Sequence, residues 1–245
     1  LQVLPPDGRL SGAVAEIMAD RNCEEPIIHI GVSEKETPGL KLEGSVKRDA
    51  DKSLIFSKNE PWGWCEYDDS LSENLGGLRS FTITGWIKPS SLQTGAGGNR
   101  IVFCLQQNHS GIDLVFHSDG RLRLSVNQWP DAISNDSSPE KLIVDRWVRF
   151  AVTYDSTKST DNVCWYFSQP QNEPNQAPLD LDHKTSYNVG SVDNQVGTLA
   201  IGNFNRSMHG YGLDRQFRGM IRNLKIYGSR ISSRGALSQN QLNQQ

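Results

Sequence analysis

Phe81-Thr82-Ile83-Thr84-Gly85-Trp86-Ile87-Lys88-Pro89 is the stretch that decides the fold. Read with a period of two, Phe81, Ile83, Gly85 and Ile87 share one face and Thr82, Thr84, Trp86 and Lys88 the other, the alternation of a strand in a layered sheet. Trp86 interrupts the polar face, so that face is expected to meet another layer for part of its length. Pro89, which has no N–H to donate, ends the strand. Working outward, the segments 100–106, 111–117, 121–127, 146–154, 162–168, 198–203 and 217–227 have the same texture. Each is a short run rich in Val, Ile, Phe, Trp or Tyr, bounded by Gly, Pro, Asn, Asp or Ser. Strands of this kind at intervals of roughly 8–12 residues predict an all-β sandwich in which the first stretch is central.

The hairpin 111–127 can be registered from sequence. A two-residue turn at Asp119-Gly120 would oppose Phe116 to Arg123 and Leu114 to Ser125, mixing apolar and polar groups on one face. A three-residue loop, Ser118-Asp119-Gly120, instead pairs Phe116 with Leu122, Leu114 with Leu124 and Ile112 with Val126. It also puts glycine where a left-handed residue is needed. The other face of the hairpin then gathers Asp113, Val115, His117, Arg121, Arg123 and Ser125, with His117 opposite Arg121.

Several motifs resemble, in order, the concanavalin A-like, laminin-G-like jelly-roll family. They are the opening stretch, Ser118-Asp119-Gly120-Arg121-Leu122, Arg146-Trp147-Val148-Arg149-Phe150-Ala151-Val152-Thr153-Tyr154-Asp155, Leu199-Ala200-Ile201-Gly202, Phe217-Arg218-Gly219-Met220-Ile221-Arg222-Asn223-Leu224-Lys225-Ile226-Tyr227 and Ala236-Leu237-Ser238. The resemblance implies an all-β, two-sheet antiparallel jelly roll over residues 40–245, with short helices only at the termini and residues 1–39 as an arm or partial strand packed on it. It also implies a secreted, cell-surface or periplasmic setting. The same sandwich carries lectins, adhesion modules, glycosidases and lyases, so it fixes no single function.

Of the 245 residues, 36% are apolar and the net charge is −3, which argues against nucleic acid as a partner because phosphate binding needs clustered Lys and Arg. No apolar run is long enough to span a bilayer, for which about 18 residues are needed. Cys23, Cys65, Cys104 and Cys164 lack the close spacing of a zinc site, and free thiols and disulfides are weighed evenly. The alternation around Cys104 and Cys164 predicts that both face away from the core.

The glycosidase members of the superfold carry an E-x-D-x-x-E strand, which is missing here. Asp180-Leu181-Asp182 is its nearest approach and reads as a solvated loop. No Gly-x-Ser-x-Gly elbow accompanies the five histidines. An enzyme, either a polysaccharide hydrolase or a lyase, is therefore the third reading. The first is a non-catalytic recognition module for a polysaccharide or glycoconjugate, and the second an adhesion module for protein.

Sugar binding pairs aromatic platforms with polar groups. The tentative ligand-binding residues are Asp113, His117, Arg121 and Arg123 on the hairpin face, Trp129 just beyond it, and Trp62 and Tyr211 in loops. On a concave sheet the hairpin face would hold an acidic or neutral glycan through Arg forks and one stacking ring. On a convex sheet it is hydrated surface, and the hydrated reading is favoured because polar outer faces are the default of antiparallel sheets. No cofactor is expected apart from a structural Ca²⁺, which the resemblance suggests. In the family that ion uses an Asp in the last strand where this chain has Arg222, leaving Asp49, Asp51, Asp68 and Asp69 as weak oxygen ligands.

Overall fold

The computed structural model describes residues 25–30, 39–60, 62–67, 72–106, 109–129 and 135–245. Cys23, Asp68, Asp69 and most of the 1–39 arm lie outside them. The strands are β1 (Ile28–Ile30), β2 (Leu40–Glu43), β3 (Lys47–Arg48), β4 (Leu54–Phe56), β5 (Trp64–Tyr67), β6 (Ser80–Pro89), β7 (Asn99–Phe103), β8 (Ile112–Phe116), β9 (Leu122–Val126), β10 (Val148–Asp155), β11 (Val163–Phe167), β12 (Asp180–Thr185), β13 (Ala200–Ile201) and β14 (Gly219–Ser229). Among the described residues they form two antiparallel sheets. One has the order β12-β11-β10-β6-β14-β4-β3 with β1 beside β14, and the other the order β2-β5-β13-β7-β8-β9.

β6 is central, as its sequence predicts: it pairs with β10 from Ser80↔Asp155 to Ile87↔Val148 and with β14 from Ser80↔Ser229 to Pro89↔Gly219. Phe81, Ile83 and Ile87 meet Phe150, Val152, Trp165 and Ile226 of their own sheet and Leu114, Phe116, Leu124 and Ile201 of the other in one core cluster. Trp86 faces away from this core. It packs with Trp147, Ala177 and Met220 in a smaller layer outside the sheet, so Trp147 is buried, as expected, but in the outer layer.

The hairpin has the register deduced for it, Ile112↔Val126, Leu114↔Leu124 and Phe116↔Leu122. The His117 N–H donates to Arg121 O at 3.0 Å, and Gly120 has φ +78. The C-terminal helix α1 (Gln239–Asn243) opens with a capping box in which Ser238 and Gln241 satisfy each other's backbone N–H.

Two expectations need correcting. Cys104 is fully buried in the inter-sheet core rather than turned away from it. A register shift between Arg100 and Val102 leaves both Ile101 and Val102 in that core, so the alternation counted through Cys104 is inverted. Asp180-Leu181-Asp182 is not a solvated loop but part of edge strand β12, where Asp182 pairs with Lys141 at 2.8 Å and accepts the Ser138 N–H at 2.8 Å. A polar edge strand carries no hydrophobic period for sequence reading to find.

Candidate functional site

The middle of the outer face of the six-stranded sheet is covered, which corrects the hydrated reading of the hairpin face for Asp113, Val115 and Ser125, all buried, while Arg121 stays 37% exposed at its end. Loop 203–215 crosses it and is pinned at its start by two amides. The Asn203 amide donates to Gly63 O (3.2 Å) and Leu213 O (3.0 Å), and the Asn205 amide to Leu105 O (3.2 Å) and Thr198 O (2.9 Å). Phe204 and Met208 thereby bury against Phe103 and Leu105. Residues 135–137 pair with the free edge of β9. Leu124 N–H donates to Asn135 O (3.1 Å) and Ser137 N–H to Leu122 O (2.8 Å), extending the sheet beyond β9.

Beside the covering loop lies a cleft of about 320 Å³ lined by Arg100, Arg123, Arg215, Trp129, Phe204 and Tyr211 with the Ala96-Gly97 turn. The 3-10 turn Arg206–Tyr211 carries Tyr211 to Trp129, ring centroids 5.6 Å apart at 63°. Trp129 is steadied from behind by Phe204 (6.2 Å, 74°) and His109 (5.3 Å, 62°). Tyr211 stays 60% exposed, so the two rings form an open aromatic corner on a rigid base.

Every cleft arginine already has a carboxylate. Arg100 pairs with Asp113 (3.1 Å), and Arg123 grips Asp136 through Nε (2.5 Å) and Nη2 (2.9 Å). Arg215 pairs with Asp214. Arg121, behind Arg123, bridges Asp119 and Asp136 at 2.7 Å each. The cleft is therefore rich in hydrogen-bonding groups and close to neutral.

Its floor is unusual. Arg100 lies 4.5 Å from the Phe204 ring centroid and donates to Gly97 O (3.2 Å), Gly98 O (2.9 Å) and Asp113. Asp113 is fully buried, and its Oδ1 is without a hydrogen-bond partner, as are Arg100 Nε, Ser125 Oγ and His117 Nε2. Burial pushes the Asp113 carboxyl up to about 6, with Arg100 acting against the rise. Burial, then Arg123, lowers His117.

The folded state holds the Asp113 proton more tightly than the unfolded chain does. Its stabilising contribution is thus complete below about pH 4 and lost as the pH rises to about 6. Urea unfolding of wild type and Asp113→Asn at pH 4, 5, 6 and 7 should show the wild type losing ground steadily with pH. A difference that stays constant would mean that the carboxyl titrates normally.

Of the residues singled out from sequence, Arg123, Trp129 and Tyr211 meet in the cleft. Asp113 lies beneath it, His117 and Arg121 lie along the hairpin behind it, and Trp62, 57% exposed before β5, does not line it. Sequence reading missed Arg100, Phe204 and Arg215. Arg100 carried a signal, a lone cation next to the start of an otherwise largely apolar strand, one residue beyond Gly97-Gly98.

Cys65, Cys104 and Cys164 are free thiols. Asp49 Oδ1 accepts the Ser53 N–H within its own turn. Among the described residues no group of three or more His, Cys, Asp or Glu side chains is placed to hold a metal, and no helix is long and apolar enough to cross a membrane.

Two antiparallel sheets closed over one core, with loops roofing an outer face, define a jelly-roll sandwich of the concanavalin A-like class. Residues 67–164 match the Laminin_G_3 family model, concanavalin A-like lectin/glucanases superfamily. The resemblance drawn from the sequence motifs is thus shown by both the match and the fold. No curated protein matches the chain.

Among solved structures, the binding domain of botulinum neurotoxin DC in complex with rat synaptotagmin II superposes with a TM-score of 0.57 at 13% identity, covering 90% of this chain and 51% of that one. A structure concerning botulinum neurotoxin type C, whose cell entry is dependent upon interaction with two ganglioside molecules, gives 0.55 at 16% identity, covering 91% and 51%. The botulinum neurotoxin serotype C1 binding domain gives 0.57 at 14%, covering 90% and 51%. The chain spans about half the length of these proteins, and at such identities the likeness is one of fold.

Proposed function

We propose that this chain is a non-catalytic recognition module whose ligand is a neutral glycan bound in the cleft of Trp129 and Tyr211. The observation that carries this reading is the aromatic corner, one ring wall half-sheltered and the other open, above arginines already neutralised by carboxylates. A sugar ring offers an apolar face to such a wall and hydroxyls to the guanidinium edges, and it gains nothing from a charge the cleft has no need of. That similar folds are binding domains supports the general reading, and a secreted, cell-surface or periplasmic protein is its natural setting.

A glycan array carrying neutral and acidic panels tests the proposal. Binding is expected on the neutral panel. Trp129→Ala should weaken it about 30-fold, the effect of losing an anchoring aromatic worth about 2 kcal/mol, while circular dichroism stays unchanged. An empty array, or a Trp129→Ala protein of undiminished affinity, would remove the cleft from consideration.

A further inference from the structure

The outer face of the eight-stranded sheet, remote from the cleft, carries cations in register. Arg149↔Trp86 and Trp86↔Arg222 are direct cross-strand pairs, so the two arginines flank Trp86 about 10 Å apart. Lys88 shares that face one pleat along β6 and is opposite Met220. Met220 in turn is opposite Ile55, and Ile55 opposite Lys47. One pleat the other way, beyond the register shift, Lys225 pairs with Thr84 and His29.

Arg149 is committed to structure, donating to Ala177 O (3.1 Å) and Leu242 O (2.6 Å). Lys47, Lys88, Arg222 and Lys225 take part in none of the ion pairs among the described residues. The positions that share this face on β1, β4, β6 and β14 hold no Asp or Glu. Burial, then the Arg149 charge, lowers the Lys225 amine, so the cluster works against itself. Unlike the cleft arginines, these cations have no carboxylate partner among the described residues.

We infer that this face is a docking surface for an acidic polypeptide segment, with Lys88, Arg222 and Lys225 as its charged contacts and Met220 and Ile55 between them. The chemistry of the face selects this occupant. Its tryptophan is only 7% exposed, so no ring is offered for a sugar to stack on. The exposed large apolar side chains among the described residues are Trp62, Ile143, Leu181 and Tyr211, all outside these strands, so nothing here enters a bilayer. The net charge of −3 opposes nucleic acid. A sheet surface of Arg, Lys and Met beside the Trp86–Trp147 layer is suited to a protein partner, where the Arg222 fork takes a carboxylate in two bonds and the apolar side chains fill between.

Fluorescence anisotropy of the whole chain with labelled poly-L-glutamate tests this, with sulfated dextran, duplex DNA and phosphatidylserine vesicles as competitors at equal charge. Poly-L-glutamate should bind at low salt and weaken as salt is raised. The triple variant Lys88→Ala, Arg222→Ala, Lys225→Ala should lose about tenfold or more in affinity while melting no lower than wild type, since it relieves like-charge contact. Trp129→Ala should bind poly-L-glutamate as wild type does, separating this face from the cleft. Should the triple variant fail to fold, Lys88→Glu alone should still weaken binding about fivefold. Absence of binding, full affinity in the variants, or stronger binding of any one competitor would overturn the assignment.

Discussion

Arg100→Met is expected to cost the fold about 3–5 kcal/mol, because it strands a buried carboxylate. Asp113 is fully buried, its Oδ1 is already unpartnered, and Arg100 is its only ion-pair partner among the described residues. Methionine fills much of the arginine's volume and still packs on Phe204, so the loss reports charge rather than a cavity. Two controls isolate that cause. The double variant Arg100→Met, Asp113→Leu should recover most of the stability, since a buried pair replaced by apolar groups is often neutral or better. The penalty of Arg100→Met alone should also be smaller at pH 6 and below than at higher pH, because losing Arg100 raises the Asp113 carboxyl further and the variant takes up its proton at a higher pH than wild type does. Urea unfolding at pH 7 provides the number, and a loss under about 1 kcal/mol would show that the pair contributes no more than a surface one.

The second large effect is expected at Gly202, which ends the Leu199-Ala200-Ile201-Gly202 motif with φ +80. Its N–H donates to Ile101 O at 3.1 Å, and its carbonyl accepts the Phe217 N–H at 2.7 Å, so its backbone cannot turn without breaking both. A methyl group there would collide with the ring of Phe56. Phe56 belongs to an edge-to-face series through Phe217 (6.3 Å) to Phe116 (5.7 Å) that ties the two sheets together. Left-handed strain of about 1–2 kcal/mol and overpacking of about 1–3 kcal/mol together predict a loss of about 2–5 kcal/mol for Gly202→Ala. Adding Phe56→Leu should return only the packing share. A full return in thermal melts would mean that the backbone angle costs nothing.

The sheet interiors were legible in the sequence because local pattern and tertiary role agree there. The alternation in β6 and the loop chemistry of Ser118-Asp119-Gly120 each required one answer, and the pairing of Phe116 with Leu122 followed. The outer faces were much less legible, since a polar face looks the same whether water or a loop covers it. Nothing local to Asp113 or Ser125 indicates that Phe204, far along the chain, sits over Arg100. The Asn203 and Asn205 amides that bring it there read as ordinary loop residues. The cleft was half legible: Trp129, Tyr211 and Arg123 stood out by residue type, whereas Arg215 and Phe204 acquire their place only through that loop.

The pairing of β6 with β14 also constrains how the chain is made. The central strand has one neighbour, β10, that follows it at moderate distance, while the other, β14, begins only at Gly219. On a ribosome the interval between Pro89 and Gly219 is on the order of ten seconds of synthesis. Throughout it one edge of the central strand stands open, a template for pairing with any neighbouring chain. The segment 67–164 that carries the family match contains β6 and β10 but not β14. Produced alone, it would keep that edge open permanently and is expected to aggregate, so trimming the chain to its recognisable segment would remove the strand that closes that segment's own edge.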